Sequence, residues 1–111
     1  MTGISTHVLD LTSGRPVAGV RIELFDLSTK SPTLLNRTQT NVDGRTDAPI
    51  LAPENARTGN FELRFAIGDH FKGSSFLPEL IPVRFVIFNA SQHYHIPLVC
   101  SPWSYSTYRG S

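Results

Sequence analysis

The sequence is poor in the residues that several protein classes need. Its single cysteine, Cys100, excludes an intramolecular disulfide, and its place in an apolar stretch is typical of a small core residue. Lys30 and Lys72 are the only lysines, the arginines are scattered, and the formal net charge is +1. A nucleic-acid-binding protein needs a basic stripe on its surface. We therefore expect no nucleic-acid partner.

Long apolar runs are also missing. None approaches the ~20 residues that a helix needs to cross a bilayer, so we expect no membrane partner. The first residues carry neither the basic region nor the apolar region of a secretory leader, which predicts a cytoplasmic protein. A length of 111 residues is typical of one domain, and we expect residues 1–111 to form it.

Apolar and polar residues alternate along most of the chain, as they do in half-buried strands. The clearest example is 60–68, where large apolar residues at odd positions alternate with charged or small ones. A helix is credible only over 70–76, and Gly73 keeps it short. The sequence predicts an all-β antiparallel sandwich with one short helix and eight strands, over 5–11, 19–26, 34–40, 46–49, 60–68, 82–89, 94–100 and 103–109.

Two histidines near the C-terminus, His93 and His95, are two residues apart on a predicted strand. Side chains at positions i and i+2 of a strand share a face, so both imidazoles point the same way. Such a pair can bind zinc, and His7 would then be the third ligand of a catalytic metal site. No cysteine pair and no neighbouring carboxylate completes that site. We therefore expect no metal, and a different use for this polar face.

Three motifs follow one another along the chain. The first is Thr6-His7-Val8-Leu9-Asp10 with Ser13-Gly14-Arg15-Pro16-Val17-Ala18-Gly19, and the second is Val42-Asp43-Gly44-Arg45-Thr46-Asp47. The third runs from His93-Tyr-His-Ile-Pro-Leu to the ending Tyr-Ser-Thr-Tyr-Arg-Gly-Ser111. In this order and spacing, the motifs resemble the signatures of the 5-hydroxyisourate hydrolases, the enzymatic branch of the transthyretin-like family. The resemblance spans residues 5–111.

The resemblance implies a transthyretin-like sandwich of eight antiparallel strands that assembles as a homotetramer, with its sites in a central channel. The implied activity is hydrolysis of 5-hydroxyisourate to 2-oxo-4-hydroxy-4-carboxy-5-ureidoimidazoline in urate degradation, without a cofactor. The implied catalytic residues are His7, Arg45 and His95. The residues implied to bind the substrate are those of the tail, Tyr108, Arg109, Gly110 and Ser111.

These residue types suit the hydrolysis of a cyclic amide. A neutral histidine that titrates near pH 7 can take a proton from water and later deliver one to the leaving nitrogen. An arginine is always charged and planar, so it can orient ring carbonyls and stabilise the developing oxyanion. The sequence leaves open which histidine is the base.

The other branch of the family consists of carriers of aromatic ligands such as thyroid hormones. It holds Lys, Glu, Thr and Thr at the positions that match His7, Arg45, His95 and Tyr108. Because all four positions here carry the residues of the enzymatic branch, the resemblance favours a hydrolase over a carrier.

Overall fold

The computed structural model describes residues 3–73 and 75–110. Two residues that the sequence assigns to features, Ser111 in the tail and Ser74 in the expected helix, lie outside the described residues. The described part holds eight strands: β1 Gly3–Asp10, β2 Arg15–Pro16, β3 Arg21–Asp26, β4 Thr33–Gln39, β5 Gly59–Ala66, β6 Leu80–Ile87, β7 His93–Cys100 and β8 Tyr105–Thr107. It also holds two short 3₁₀ helices, Pro53–Asn55 and Gly68–Phe71.

The strands form two four-stranded sheets, in the orders β2-β1-β7-β8 and β4-β3-β5-β6. This arrangement confirms the predicted all-β sandwich. The pairing of β1 with β7 is parallel, with Ser5 opposite His95 and His7 opposite Pro97, whereas the other pairings are antiparallel. The parallel pair brings the start of the chain beside its end, and it positions the candidate site.

The core lies between the two sheets and follows the predicted alternation. On β5, Phe61, Leu63 and Phe65 are fully buried, and they face Ile4 and Val8 of β1 within one continuous cluster. Each such side chain contributes ~1.5–3 kcal/mol when it leaves water. Since one face of β1 and β7 packs into this core, their other face must carry the polar residues.

Three details of the prediction are wrong. Residues 46–49 form a bend rather than a strand: the Thr46 hydroxyl donates a hydrogen bond to the Ala48 carbonyl, and no strand within the described residues pairs with them. The strand that completes the count is instead β2, which pairs with the end of β1. The expected helix is a 3₁₀ turn over Gly68–Phe71, which ends where Lys72 adopts a left-handed conformation with φ 48°. Within the described residues, no helix has the length and apolarity that crossing a membrane requires.

Candidate active site

The outer face of β1 and β7 carries a group of polar side chains. Residues at odd positions of β1, including Ser5 and His7, point away from the core, and so do His93 and His95 on β7. The parallel register places these two pairs side by side across the strand boundary. The structure therefore brings three of the chain's four histidines onto one surface.

Arg45 reaches this surface from the turn that follows β4. A hydrogen bond of 2.9 Å from the Val8 amide to the Gly44 carbonyl attaches this turn to β1. Gly44 has φ +72°, and a Cβ there would lie 2.6 Å from the Val8 carbonyl oxygen and 3.2 Å from Cδ2 of His7. Only glycine permits this conformation and this close approach. The turn thereby holds the neighbouring Arg45 next to His7.

The environment of His7 favours a neutral imidazole. Burial lowers its pKa, and the positive charge of Arg45 lowers it further. The Asp43 backbone and the negative charge of the Asp43 carboxylate raise the pKa of His7, but the net pKa lies below the ordinary value. A neutral imidazole that donates from one nitrogen presents a lone pair on the other. His7 is therefore arranged as a proton acceptor.

His95 is also kept neutral, for the same leading reasons. Burial lowers its pKa first, followed by the charge of Arg45 and then by His7 and His93. The influence of Arg45 on both histidines shows that the three residues predicted to be catalytic belong to one electrostatic cluster. The arrangement combines two neutral acid–base groups with one permanent cation.

The C-terminal tail packs directly on His95. The Gly110 amide donates a hydrogen bond of 2.7 Å to the His95 carbonyl oxygen. A Cβ added to Gly110 would lie only 2.6 Å from Cδ2 of the His95 ring. Gly110 is therefore needed for close approach, and its position beside the ring fits a role in holding His95.

The other described tail residues have different surroundings. The Arg109 guanidinium donates to Gln92 and to the His93 carbonyl, each at 3.1 Å, and stacks 4.2 Å from the Tyr94 ring centroid. These contacts anchor the tail to the start of β7. Tyr108 is exposed and lines a groove of about 310 Å³ between the edges of β6 and β8. The substrate contacts of both side chains stay predictions.

Sequence reasoning missed the part that Ser5 plays. Its hydroxyl lies 2.7 Å from Nε2 of His93 and 2.8 Å from Nδ1 of His95, so it bridges the two imidazoles. With Arg45 and His93 it also lines a pocket of about 290 Å³ beside the histidine cluster. The signal was present in the sequence, because Ser5 is two residues from His7 on the same strand and must share its face.

The remaining candidates lie away from this surface. His70 bonds the buried carboxylate of Asp10 at 2.8 Å, which indicates a structural role. Cys100 is a free, buried thiol, and burial with the nearby Asp10 charge raises its pKa to about 11. Among the residues that the structure describes, no three or more His, Cys, Asp or Glu side chains group as metal ligands would.

The fold and the site define an eight-stranded β-sandwich protein with a cluster of histidines and an arginine on the outer face of one sheet. The chain belongs to the HIUase/Transthyretin family, whose model matches residues 4–110.

Individual relatives agree with this assignment. A 5-hydroxyisourate hydrolase of Deinococcus radiodurans is 45% identical, over 98% of this chain and 96% of the relative. The structure of Klebsiella pneumoniae 5-hydroxyisourate hydrolase is 31% identical and covers all of both chains, with a TM-score of 0.78. A crystal structure of (S)-allantoin synthase gives a TM-score of 0.88 at 39% identity, covering 98% of this chain. This chain spans only 43% of the length of that synthase chain.

Proposed function

We propose that this chain is a 5-hydroxyisourate hydrolase that converts its substrate to 2-oxo-4-hydroxy-4-carboxy-5-ureidoimidazoline in urate degradation. The observation that carries the proposal is the cluster of His7, His95 and Arg45, in which both histidine pKa values are lowered. The relatives named 5-hydroxyisourate hydrolase, which match almost the whole chain, support the choice of substrate.

His7 is the residue that activates water. Its lowered pKa favours the neutral ring, which carries a lone pair on one nitrogen that can accept a proton. Water attacks a ring carbonyl of the substrate as His7 takes its proton. A base of this kind contributes ~10²–10⁴-fold to the rate.

Arg45 and His95 complete the reaction. The guanidinium of Arg45 faces the carbonyl oxygen as negative charge develops on it in the tetrahedral intermediate. The carbon–nitrogen bond then breaks as His95 delivers its ring proton to the leaving nitrogen, and the proton that His7 took from water replaces it, so both rings return to the neutral state. The product carries a new carboxyl group and a new N–H, so one molecule of water is consumed. This chemistry requires no cofactor and no metal, and activity should survive treatment with a chelator.

The test follows the ultraviolet absorbance of freshly generated 5-hydroxyisourate with and without the protein. We expect rapid decay with the wild type and a loss of ~10²–10³ in kcat for Arg45→Gln, the usual cost of removing one electrostatic stabiliser. Arg37→Gln is the matched control, because Arg37 lies on β4 of the other sheet and is 60% exposed in its pair with Glu23. An unaccelerated decay with the wild type would remove the proposed function.

We also propose that the enzyme is a homotetramer. β6 and β8 each lie at one edge of their sheet, and the side chains exposed on or near them include Val86, Phe88 and Trp103. Exposed strand edges with apolar side chains are ready to pair with another chain, and closed symmetric assemblies cover such surfaces. Light scattering should give four times the chain mass of 12.3 kDa. A monomer at micromolar concentration would contradict the assembly.

The organisation and location of the protein are the last parts of the proposal. Residues 1–111 act as a single hydrolase domain, supported by one continuous core and by a family match over residues 4–110. The enzyme works in the cytoplasm, and its free, buried Cys100 is compatible with a reducing compartment. Fractionation of cells that produce the protein, followed by immunodetection, tests the location.

A further inference from the structure

Ser5 is in contact with two imidazoles at once, which restricts where their protons can be. A hydroxyl has one hydrogen to donate, and its oxygen can accept others. Since both ring nitrogens lie within 2.8 Å of the Ser5 oxygen, at most one ring can accept the single hydroxyl hydrogen, and a ring that does not accept it must donate its own N–H. The tautomers of His93 and His95 are therefore coupled through Ser5.

The chemistry of the site selects one of these arrangements. Nδ1 of His95 contacts Ser5, so Nε2 is the nitrogen left for the substrate. If Nδ1 carried the proton, neutral His95 would present a lone pair on Nε2. His7 already presents one, and His95 would then hold no proton on the nitrogen that faces the leaving group. If Ser5 donates to Nδ1, His95 keeps its proton on Nε2, where the leaving nitrogen needs it.

We propose that Ser5 and His93 are positioning residues that hold the proton of His95 on Nε2. In this arrangement Nε2–H of His93 donates to the Ser5 oxygen, and the Ser5 hydroxyl donates to Nδ1 of His95. The other groups that act on His95 are His7 from β1 and Arg45 from the turn, and both disfavour a second proton on its ring. The inference rests on the proposed function for the role of His95, but the tautomer itself is a property of the free protein.

The first experiment needs no substrate. In protein labelled with ¹⁵N at histidine, long-range NMR spectra distinguish a protonated ring nitrogen from an unprotonated one. We expect the neutral wild type to show His95 protonated at Nε2 alone. Ser5→Ala should show a mixture of both tautomers, and Ser5→Thr, which keeps the hydroxyl, should restore the wild-type pattern. A wild-type His95 protonated at Nδ1, or a pattern unchanged in Ser5→Ala, would overturn the proposal.

The second experiment measures kcat and KM for 5-hydroxyisourate. Loss of the hydrogen-bond partner behind a metal-bound histidine typically costs ~10–100-fold, and we expect Ser5→Ala to lose a similar factor in kcat with KM nearly unchanged. Because His93 acts only through Ser5, the double variant Ser5→Ala with His93→Phe should be no slower than Ser5→Ala alone. If the loss in kcat were larger in the double variant than in Ser5→Ala, His93 would not act through Ser5. Ser28→Ala, just beyond β3 in the other sheet, is the control for removing a hydroxyl.

The two experiments separate the inference from the proposed function. A wild type that leaves 5-hydroxyisourate untouched but shows the expected tautomer pattern refutes the proposed function and supports the positioning by Ser5. An active wild type with an unchanged tautomer in Ser5→Ala supports the function and refutes the positioning. Circular dichroism of each variant confirms that the strand pairing of β1 is retained.

Discussion

Replacing Gly110 with alanine tests the contact between the tail and His95. The added Cβ would lie 2.6 Å from Cδ2 of His95 and 3.3 Å from its Cγ. Carbon atoms in favourable contact are ~3.5–4.0 Å apart, so the ring or the tail must move by about 1 Å. A displacement of this size in an active site can cost ~10²-fold in rate. We expect kcat/KM of Gly110→Ala to fall by about that factor.

The fold should survive the change. Gly110 is not among the glycines with positive φ, so alanine adds no backbone strain there, and the clash is confined to the His95 ring and the tail. The assay is the decay of 5-hydroxyisourate, with a thermal melt of the same sample. Gly14→Ala is the control without a contact, because nothing lies within 4 Å of its added Cβ; its φ of +71° should cost some stability but no activity. A folded Gly110→Ala protein with wild-type kcat/KM would show that the tail does not fix His95 in the working enzyme.

Two further predictions follow from the pKa shifts. Removing the charge of Arg45 should raise the pKa of the base His7, so the acid limb of kcat/KM in Arg45→Gln should move to higher pH; an unmoved limb would mean that the two residues do not interact. Because burial raises the pKa of Cys100 to about 11, iodoacetamide should leave the native protein unmodified and should alkylate it in urea. Mass spectrometry of both samples gives the answer, and rapid native alkylation would contradict the buried position.

The sequence predicts the layers of the fold better than its connections. Alternation on β3 and β5 identifies the buried face correctly, because the neighbours of a residue on a half-buried strand are enough to show whether its side chain faces the core or the solvent. The pairing of β1 with β7 joins Ser5 to His95, which are far apart in the chain. Nothing local encodes whether such a pair runs parallel or antiparallel. β2 was missed because it has only two residues, one of them Pro16, within a turn-like stretch.

The site was predictable in its residues and not in its contacts. The motif match indicated His7, Arg45 and His95, and the structure groups them. It could not indicate that the tail glycine packs against an imidazole, because that depends on where the chain returns after β8. Arg109 shows the same limit, since its guanidinium is held by Gln92 and the His93 carbonyl.

The causes that lower the pKa values of His7 and His95 connect the proposed tetramer with the acid–base chemistry of the site. For both His7 and His95, burial lowers the pKa more than Arg45 does, although both histidines are only half-buried in the single chain. A second copy that covers this sheet face would remove more water, and it would lower both pKa values further. Both rings would then stay neutral over a wider pH range, and the charge of Arg45 would be less screened. The proposed tetramer would therefore contribute to acid–base function as well as to stability, since it would complete the environment that the single chain begins.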